Sequence, residues 1–203
     1  MPNRVPFIGL TGGLGAGKSE ALRVLGELGA ATLSTDALVH ELLQDEELRA
    51  VVVNRLGPEV ARDGALDRSL IAERVFGDEE ARAWLEGELW PRVGARVAEW
   101  RLELDGADPP PRAAVVEVPL LFEAGMAPVF DQTIAVVADE AVRTERAGAR
   151  GHASVAERTG RQLSQDEKSQ RADFTVRNDG TIAELKRTLS SVLGKIEGTQ
   201  WHT

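Results

Sequence analysis

The chain has 203 residues, which is enough for one well-packed core with small appended units. A net charge of −9 argues against a broad nucleic-acid-binding surface, and the absence of cysteine excludes disulfides, thiolate catalysis and cysteine metal sites. The apolar runs are too short to span a membrane and no charged-then-apolar signal pattern opens the chain, so we expect a cytoplasmic protein without nucleic-acid or membrane partners.

The first feature along the chain is a glycine-rich loop between an apolar segment and an amphipathic one. Residues 5–11 are apolar and predict a buried strand, and apolar positions within 20–28 recur with the period of a helix. Between them, residues 12–19 form the phosphate-binding pattern Gly-x4-Gly-Lys-Ser/Thr. Backbone amides and a helix N-terminus that meet at one point bind polyphosphates, so the sequence predicts a nucleoside triphosphate site.

Two side chains of this loop have predicted chemical roles. Lys18 is expected to reach the β- and γ-phosphates, and the hydroxyl of Ser19 is expected to bind Mg²⁺. The alternative is a glycine-rich turn that only packs a helix on a sheet, which the strand and helix on either side disfavour. The expected nucleotide contacts are Gly13, Gly15, Ala16, Gly17, Lys18, Ser19 and Glu20.

Short apolar strands and helices alternate through the rest of the chain. Helical patterning extends from residue 37 to about 103, with no convincing strand. The predicted breaks in this stretch are at Gly57-Pro58, Asp63-Gly64 and Trp90-Pro91. An amphipathic helix is expected over 182–196. The remaining predicted strands are residues 29–34, 112–118, 132–138 and 174–177.

Strands that alternate with helices indicate a parallel sheet covered on both faces. We therefore predict an α/β, three-layer fold with a five-stranded parallel sheet, a helical insert and a lid. The insert is expected over 37–111 and the lid over 139–171. The nucleotide-binding core is expected to comprise residues 1–36, 112–138 and 172–203.

Ligands of such sheets bind beyond the C-terminal ends of the strands, so the residues that follow each strand are candidate site residues. Asp36 follows the second predicted strand and is positioned to accept the proton of an attacking hydroxyl group. Alternatively, Asp36 caps the helix that begins near Ala37. The position of Asp36 does not decide between these two roles.

Arg143, Arg146 and Arg150 recur at helical spacing after the fourth predicted strand. One helix face would present their guanidinium groups, which suit the charge of a transferring phosphoryl group. The alternative is a solvated face with ion pairs to neighbouring acidic residues.

Three further residues are candidates for organising an acceptor site. Glu123 follows the apolar run 119–122 in a loop at the ligand-binding edge, and the apolar part of that run is expected to pack. Arg68 and Trp90 stand out in the helical insert as contacts for an acceptor that carries a phosphate or a base. Trp90 also fits the description of an ordinary core aromatic.

Taken together, these motifs resemble the dephospho-coenzyme A kinase family. The resemblance extends in order over nearly the whole chain, and the Pro-Leu-Leu-Phe-Glu run with its spacing is more specific than the phosphate loop. The matching elements are Leu10 to Ser19, Asp36, Gly64 to Arg68 with Val75-Phe76, Val118 to Glu123, Arg146, Arg150, Gln162, Ala172-Asp173 and Asn178 to Gly180.

The resemblance implies a P-loop kinase fold and transfer of the γ-phosphate of ATP, with Mg²⁺, to the ribose 3′-hydroxyl of dephospho-CoA. This reaction is the last step of CoA synthesis. It implies Asp36 as general base, Arg146 and Arg150 as lid contacts to the phosphates, and Asn178 near the adenine. A monomer or weak homo-oligomer is expected. The acceptor contacts that it implies are Asp36, Arg68, Trp90, Leu120 and Glu123.

The chain departs from the family pattern at two positions. Ser34 stands where the family usually has the first carboxylate of Asp-x-Asp, and Trp90 stands where it usually has histidine. One rival interpretation is another small-molecule P-loop kinase, of the nucleoside monophosphate or shikimate type, which the insert and the run 118–123 disfavour. The other is a nucleotide switch, although no asparagine in the chain precedes a lysine as a guanine-reading motif requires.

Overall fold

The computed structural model describes residues 4–62, 64–149 and 162–199. The strands are β1 (Phe7–Gly12), β2 (Ala31–Ser34), β3 (Ala61–Arg62), β4 (Ala65–Leu66), β5 (Ala114–Glu117), β6 (Gln132–Val137) and β7 (Phe174–Arg177). The helices are α1 (Lys18–Glu27), α2 (Thr35–Leu42), α3 (Glu46–Leu56), α4 (Arg68–Val75), α5 (Glu79–Asp105), α6 (Glu140–Ala149), α7 (Gln165–Arg171) and α8 (Ile182–Glu197). Short 3-10 turns occupy Pro58–Val60 and Ala127–Val129.

The central sheet has five strands in the order β2-β5-β1-β6-β7, and every neighbouring pair is parallel. Leu10 of β1 lies opposite Glu117 on one side and Ile134 on the other. All six residues of β1 are buried, as expected for the middle strand of a sheet covered on both faces. The predicted three-layer α/β fold is confirmed, and each of its five strands lies where the sequence predicts one.

The main core lies between the sheet and helices α1 and α8. A cluster of buried side chains joins residues of α1, such as Val24 and Leu25, to Leu189 and Leu193 of α8 and to the sheet strands. Each such Leu or Val contributes about 1.5–3 kcal/mol by leaving water. Helix α8 begins at a capping box in which Thr181 accepts the Glu184 N–H and Glu184 accepts the Thr181 N–H. This packing holds the phosphate loop between two buried elements, β1 and α1.

Residues 35–102 form a second compact unit, and the first unit comprises residues 1–34 and 103–203. The second unit has a core of its own, which includes Leu48 and Val52 of α3, Ile71 of α4 and Leu85 of α5. Asp45 caps α3 by accepting the Leu48 N–H, and Asp67 caps α4 by accepting the N–H groups of residues 69 and 70. No helix in the described ranges has both the length and the apolar character needed to cross a bilayer.

The prediction that residues 37–103 contain no strand was wrong. Two strands, β3 and β4, pair antiparallel, with Ala61 opposite Leu66 and Arg62 opposite Ala65. The hairpin turns through Gly64, which has a φ of 83°. Each strand has only two residues, so neither is long enough to give the alternating apolar pattern that identifies a strand in a sequence.

The predicted helix break at Trp90-Pro91 was also wrong, because α5 continues through Pro91. Proline removes one backbone donor and disfavours a helix interior. Next to it, the guanidinium of Arg92 donates to both the backbone oxygen and the carboxylate of Glu88, at 2.6 and 2.8 Å. These side-chain bonds bridge the turn that contains the proline and help to keep the 27-residue helix continuous.

Candidate functional site

The phosphate loop connects β1 to α1, and two of its positions require glycine. Gly15 and Gly17 have φ values of 75° and 90°, which side-chain-bearing residues rarely adopt. A Cβ atom on Gly15 would lie 2.5 Å from the backbone oxygen of Arg143, and one on Gly17 would collide with Nδ2 of Asn178. The loop is therefore in close contact with α6 and with the residue that follows β7. Because Gly17 has no side chain, the N-terminus of α1 has no side-chain cap.

Lys18 lies across this loop, with its Nζ donating to the backbone oxygens of Gly12 and Gly13 at 3.1 and 3.2 Å. Ser19 is exposed in the first turn of α1, so its hydroxyl is accessible to a cation from solvent. Glu20 instead pairs with Arg23 at 2.5 Å on the surface of the same helix. The ammonium of Lys18 and the hydroxyl of Ser19 therefore belong to the loop, whereas the carboxylate of Glu20 is engaged along the helix.

The arginines of α6 contact backbone groups of the loop region. Arg143 donates from Nε to the Leu14 oxygen at 2.9 Å, and Arg146 donates to the Asn178 oxygen at 2.9 Å. Asp139, an acidic residue next to this helix, pairs with Arg177 at 2.7 Å. Two members of the predicted arginine row thus lie beside the phosphate loop. The third, Arg150, lies outside the described residues.

Asn178 joins the phosphate loop to the end of the sheet. Its side chain is buried and donates to the Ala16 oxygen at 3.0 Å, while its backbone N–H donates to the Val137 oxygen at 2.8 Å. Burial acts to raise the pKa of the adjacent Asp179, but hydrogen bonds from the Asp139 N–H and from Arg177 outweigh it, and the pKa lies below its ordinary value. The Asn178 turn is therefore held by bonds on both sides, next to the loop.

Glu123 lies in an ion pair that the sequence did not predict. Its Oε1 is 2.9 Å from Nζ of Lys168 and also accepts the Leu163 N–H at 2.9 Å. Lys168, on α7, is fully buried and also donates to the Pro119 oxygen at 2.8 Å. In the same run Leu120 is half-buried, whereas Leu121 is fully buried, in agreement with the expected packing role of the apolar residues.

The remaining candidates lie in the second unit. Asp36 is in the first turn of α2 and Arg68 is the first residue of α4, with its guanidinium 3.7 Å from Oδ1 of Asp36. The Asp36 side chain is 59% exposed, so its carboxylate is accessible. Because α2 begins at Thr35, Asp36 lies inside the helix rather than at its N-cap, which weakens the capping alternative. Trp90, on α5, is 36% exposed and is not a fully buried core aromatic.

Comparison with known proteins identifies the family. The family model described as dephospho-CoA kinase matches residues 6–184. The dephospho-CoA kinase of Protochlamydia amoebophila is 37% identical over 195 residues, which cover 94% of this chain and 96% of that protein.

The chain belongs to the dephospho-CoA kinase family.

Solved structures share the fold of this chain. The crystal structure of TT1252 from Thermus thermophilus is similar with a TM-score of 0.79 and 33% identity, over 94% of this chain and 98% of that one. The dephospho-CoA kinase from Campylobacter jejuni is similar in fold, with a TM-score of 0.62 and 24% identity over 93% of this chain and 96% of that one.

Sequence reasoning missed three residues whose side chains connect segments around the site. Lys168 lies in the polar run 164–168, which has the composition of a surface helix, yet its side chain is fully buried. Gln165 forms two bonds with the backbone of Ala138, one in each direction, at 2.8 and 2.9 Å. Asp173 accepts from the backbone and the hydroxyl of Thr133 at 2.7 and 2.8 Å. Asp173 was noted only as part of the Ala-Asp element, without a role.

Proposed function

We propose that this chain transfers the γ-phosphate of ATP to the ribose 3′-hydroxyl of dephospho-CoA, giving CoA and ADP. The observation that carries the proposal is the match of residues 6–184 to the dephospho-CoA kinase model. The loop geometry supports it, because the positive φ values of Gly15 and Gly17 bend the backbone just before α1, whose N-terminus has no side-chain cap and can bind an anion. In the reaction the 3′-oxygen bonds to the γ-phosphorus and the bond from that phosphorus to the ADP oxygen breaks.

The phosphates of ATP are bound by the amides of residues 13–20. Lys18 exchanges its bonds to the Gly12 and Gly13 oxygens for bonds to the β- and γ-phosphates. Arg146 and Arg150 of the lid, residues 139–171, stabilise the charge of the phosphoryl group in transit. The turn at Asn178 lies near the adenine. Arg146 is well placed for its role because its guanidinium already lies beside this turn, on the Asn178 oxygen.

Ser19 fits a magnesium ion, because its hydroxyl is exposed at the start of α1 next to Lys18. Mg²⁺ usually keeps several waters and takes only one or two protein ligands together with substrate phosphates. Ser19 would hold the ion in this way. When bound, Mg²⁺ neutralises negative charge on the β- and γ-phosphates.

Asp36 is the general base that accepts the proton of the 3′-hydroxyl. Arg68, with its guanidinium 3.7 Å away, orients this carboxylate. Since Ser34 provides no second carboxylate in the family's Asp-x-Asp position, Asp36 carries this role without help from position 34.

The helical insert, residues 37–111, binds dephospho-CoA. Trp90 and Leu120, which are both partly exposed, provide apolar contacts to the acceptor. For Glu123 the observed ion pair supports a different role, which is developed below. The enzyme acts in the cytoplasm as a monomer or weak homo-oligomer, with ATP and dephospho-CoA as its small-molecule partners.

An ADP-release assay with ATP and Mg²⁺ tests the proposal across a panel of acceptors: dephospho-CoA, adenosine, AMP, CMP and shikimate. We expect release to depend on dephospho-CoA and to be at least tenfold slower with every other acceptor, a difference in transition-state stabilisation of about 1.4 kcal/mol or more. A preference for AMP or CMP would support a nucleoside monophosphate kinase instead. ADP release without any acceptor would support a nucleotide switch.

A further inference from the structure

Lys168 is a fully buried lysine without an assigned role in the proposed reaction. An ammonium group carries three N–H donors, and burial without acceptors for them is strongly unfavourable. Three acceptors surround Nζ: the Pro119 oxygen at 2.8 Å, Oε1 of Glu123 at 2.9 Å and Oγ1 of Thr11 at 3.5 Å. These acceptors lie on two segments distant in sequence from Lys168, the end of β1 and the run 119–123, so its side chain connects both of them to α7.

The connection to Thr11 leads directly into the phosphate loop. Thr11 is buried in β1, immediately before Gly12, and its hydroxyl also donates to the Pro119 oxygen at 3.2 Å. The backbone oxygen of Gly12 in turn accepts from Nζ of Lys18. Only two residues, Thr11 and Gly12, therefore stand between Lys168 and the lysine that is proposed to bind the phosphates along this path.

The ion pair with Glu123 neutralises the buried positive charge of Lys168. Glu123 supplies the counter-charge for Lys168, and the same oxygen accepts the Leu163 N–H just before α7 begins. The other carboxylate oxygen, Oε2, is buried and has no hydrogen-bond partner among the described residues. A buried ion pair with an unsatisfied oxygen adds little to stability, because two apolar residues would serve about as well. A role in positioning therefore explains this pair better than a contribution to stability does.

We propose that Lys168 is a positioning residue for the phosphate loop, acting through Thr11 and Pro119, with Glu123 as its counter-ion. It fixes the end of β1 and the turn after β5 relative to α7, so that the loop amides and Lys18 are held in the geometry that phosphate binding requires. The inference rests on the proposed kinase reaction, since it assigns a purpose to that loop. If the inference is right, removal of both charges, on Lys168 and Glu123, leaves the fold intact but lowers the catalytic rate.

The test compares Lys168→Met with the double variant Lys168→Met/Glu123→Met, using Lys186→Met as the matched control. Lys186, on α8, forms a partly exposed ion pair with Glu27. The single variant leaves a buried carboxylate without its partner and should lower the melting temperature by on the order of 10 °C. The double variant removes both charges and should recover most of that shift. The control should change neither stability nor kinetics.

The decisive readout is the kinetics of the stable double variant, measured well below its melting temperature. We expect kcat to remain about 10- to 100-fold below that of the wild type, and the Kd for ATP to rise, because the Lys168 ammonium no longer holds Pro119 and Thr11 in place. The KM for dephospho-CoA should stay within about twofold. Wild-type kcat and ATP affinity in the double variant would show that the pair is only structural and would overturn the inference.

Thr11→Val keeps the test decisive if the Lys168 variants do not fold. It preserves the ion pair and the side-chain shape but removes the hydroxyl that links Lys168 to the loop. We expect weaker ATP binding with a near-normal melting temperature, and unchanged ATP binding would refute the link. ATP binding is measured without acceptor, so its loss in these variants is distinguishable from failure of the wild type to phosphorylate dephospho-CoA, which would refute the proposed function instead.

Discussion

Gly17→Ala tests whether the phosphate loop is held in place by Asn178. The substitution places an L-residue at a φ of 90°, which costs about 1–2 kcal/mol. The new Cβ would also collide with Nδ2 of Asn178, which donates to the buried Ala16 oxygen at 3.0 Å. Losing that bond adds about 1–3 kcal/mol, because the oxygen loses its partner. We therefore expect a total loss of stability of about 2–5 kcal/mol.

The matched control is Gly125→Ala in the same unit. Gly125 has a φ of 66°, but a Cβ atom there would meet nothing within 4 Å. The control should therefore show only the conformational cost of about 1–2 kcal/mol. Unfolding in denaturant measures the stability of both variants, and calorimetric titration measures their affinity for ATP. ATP affinity should fall in Gly17→Ala and stay unchanged in Gly125→Ala.

A double-variant cycle completes this test. In an Asn178→Ala background the collision is absent, so Gly17→Ala should cost only as much as the control does. Equal losses of stability in Gly17→Ala and Gly125→Ala, with ATP affinity unchanged in both, would refute the contact between the loop and Asn178.

Three further predictions concern the chemistry. Lys18→Ala should lower kcat by about 10²–10³-fold with the fold intact, and retention of more than about a tenth of the activity in the ADP-release assay would contradict the role of the loop. Arg146→Ala should lower kcat by a larger factor than it raises the KM for dephospho-CoA, whereas wild-type kinetics would return this arginine to a surface role. Asp36→Asn should lower kcat by about 10²–10⁴-fold with ATP affinity preserved and the melting temperature within a few degrees, and near-normal turnover would remove the assignment of a base.

The sheet was predictable from the sequence because its strands are buried on both faces and appear as continuous apolar runs. β1 and β6 are examples, with five or more buried residues each. The hairpin β3–β4 was not predictable, because a strand of two residues is too short to show an alternating apolar pattern. The continuation of α5 through Pro91 was not predictable either, because a proline in a helical pattern normally indicates a break.

The candidate site was predictable to a similar extent and for related reasons. The glycine spacing of the loop reflects backbone constraints that are local in sequence, so residues 12–19 could be recognised directly. Lys168 and Glu123 are 45 positions apart, and their meeting depends on how α7 packs near β1 and β6. A lysine in a polar seven-residue helix gives no sign of complete burial. Contacts of this kind follow from tertiary packing and require the fold.

The central claim is that this chain phosphorylates the 3′-hydroxyl of dephospho-CoA. The most direct measurement is ³¹P NMR of the reaction mixture with ATP, Mg²⁺ and dephospho-CoA, run in parallel with Lys18→Ala. We expect a new ribose 3′-phosphomonoester signal that appears together with ADP and is nearly absent with the variant. No phosphomonoester from the wild type, a phosphate at another position, or equal product from Lys18→Ala would contradict it.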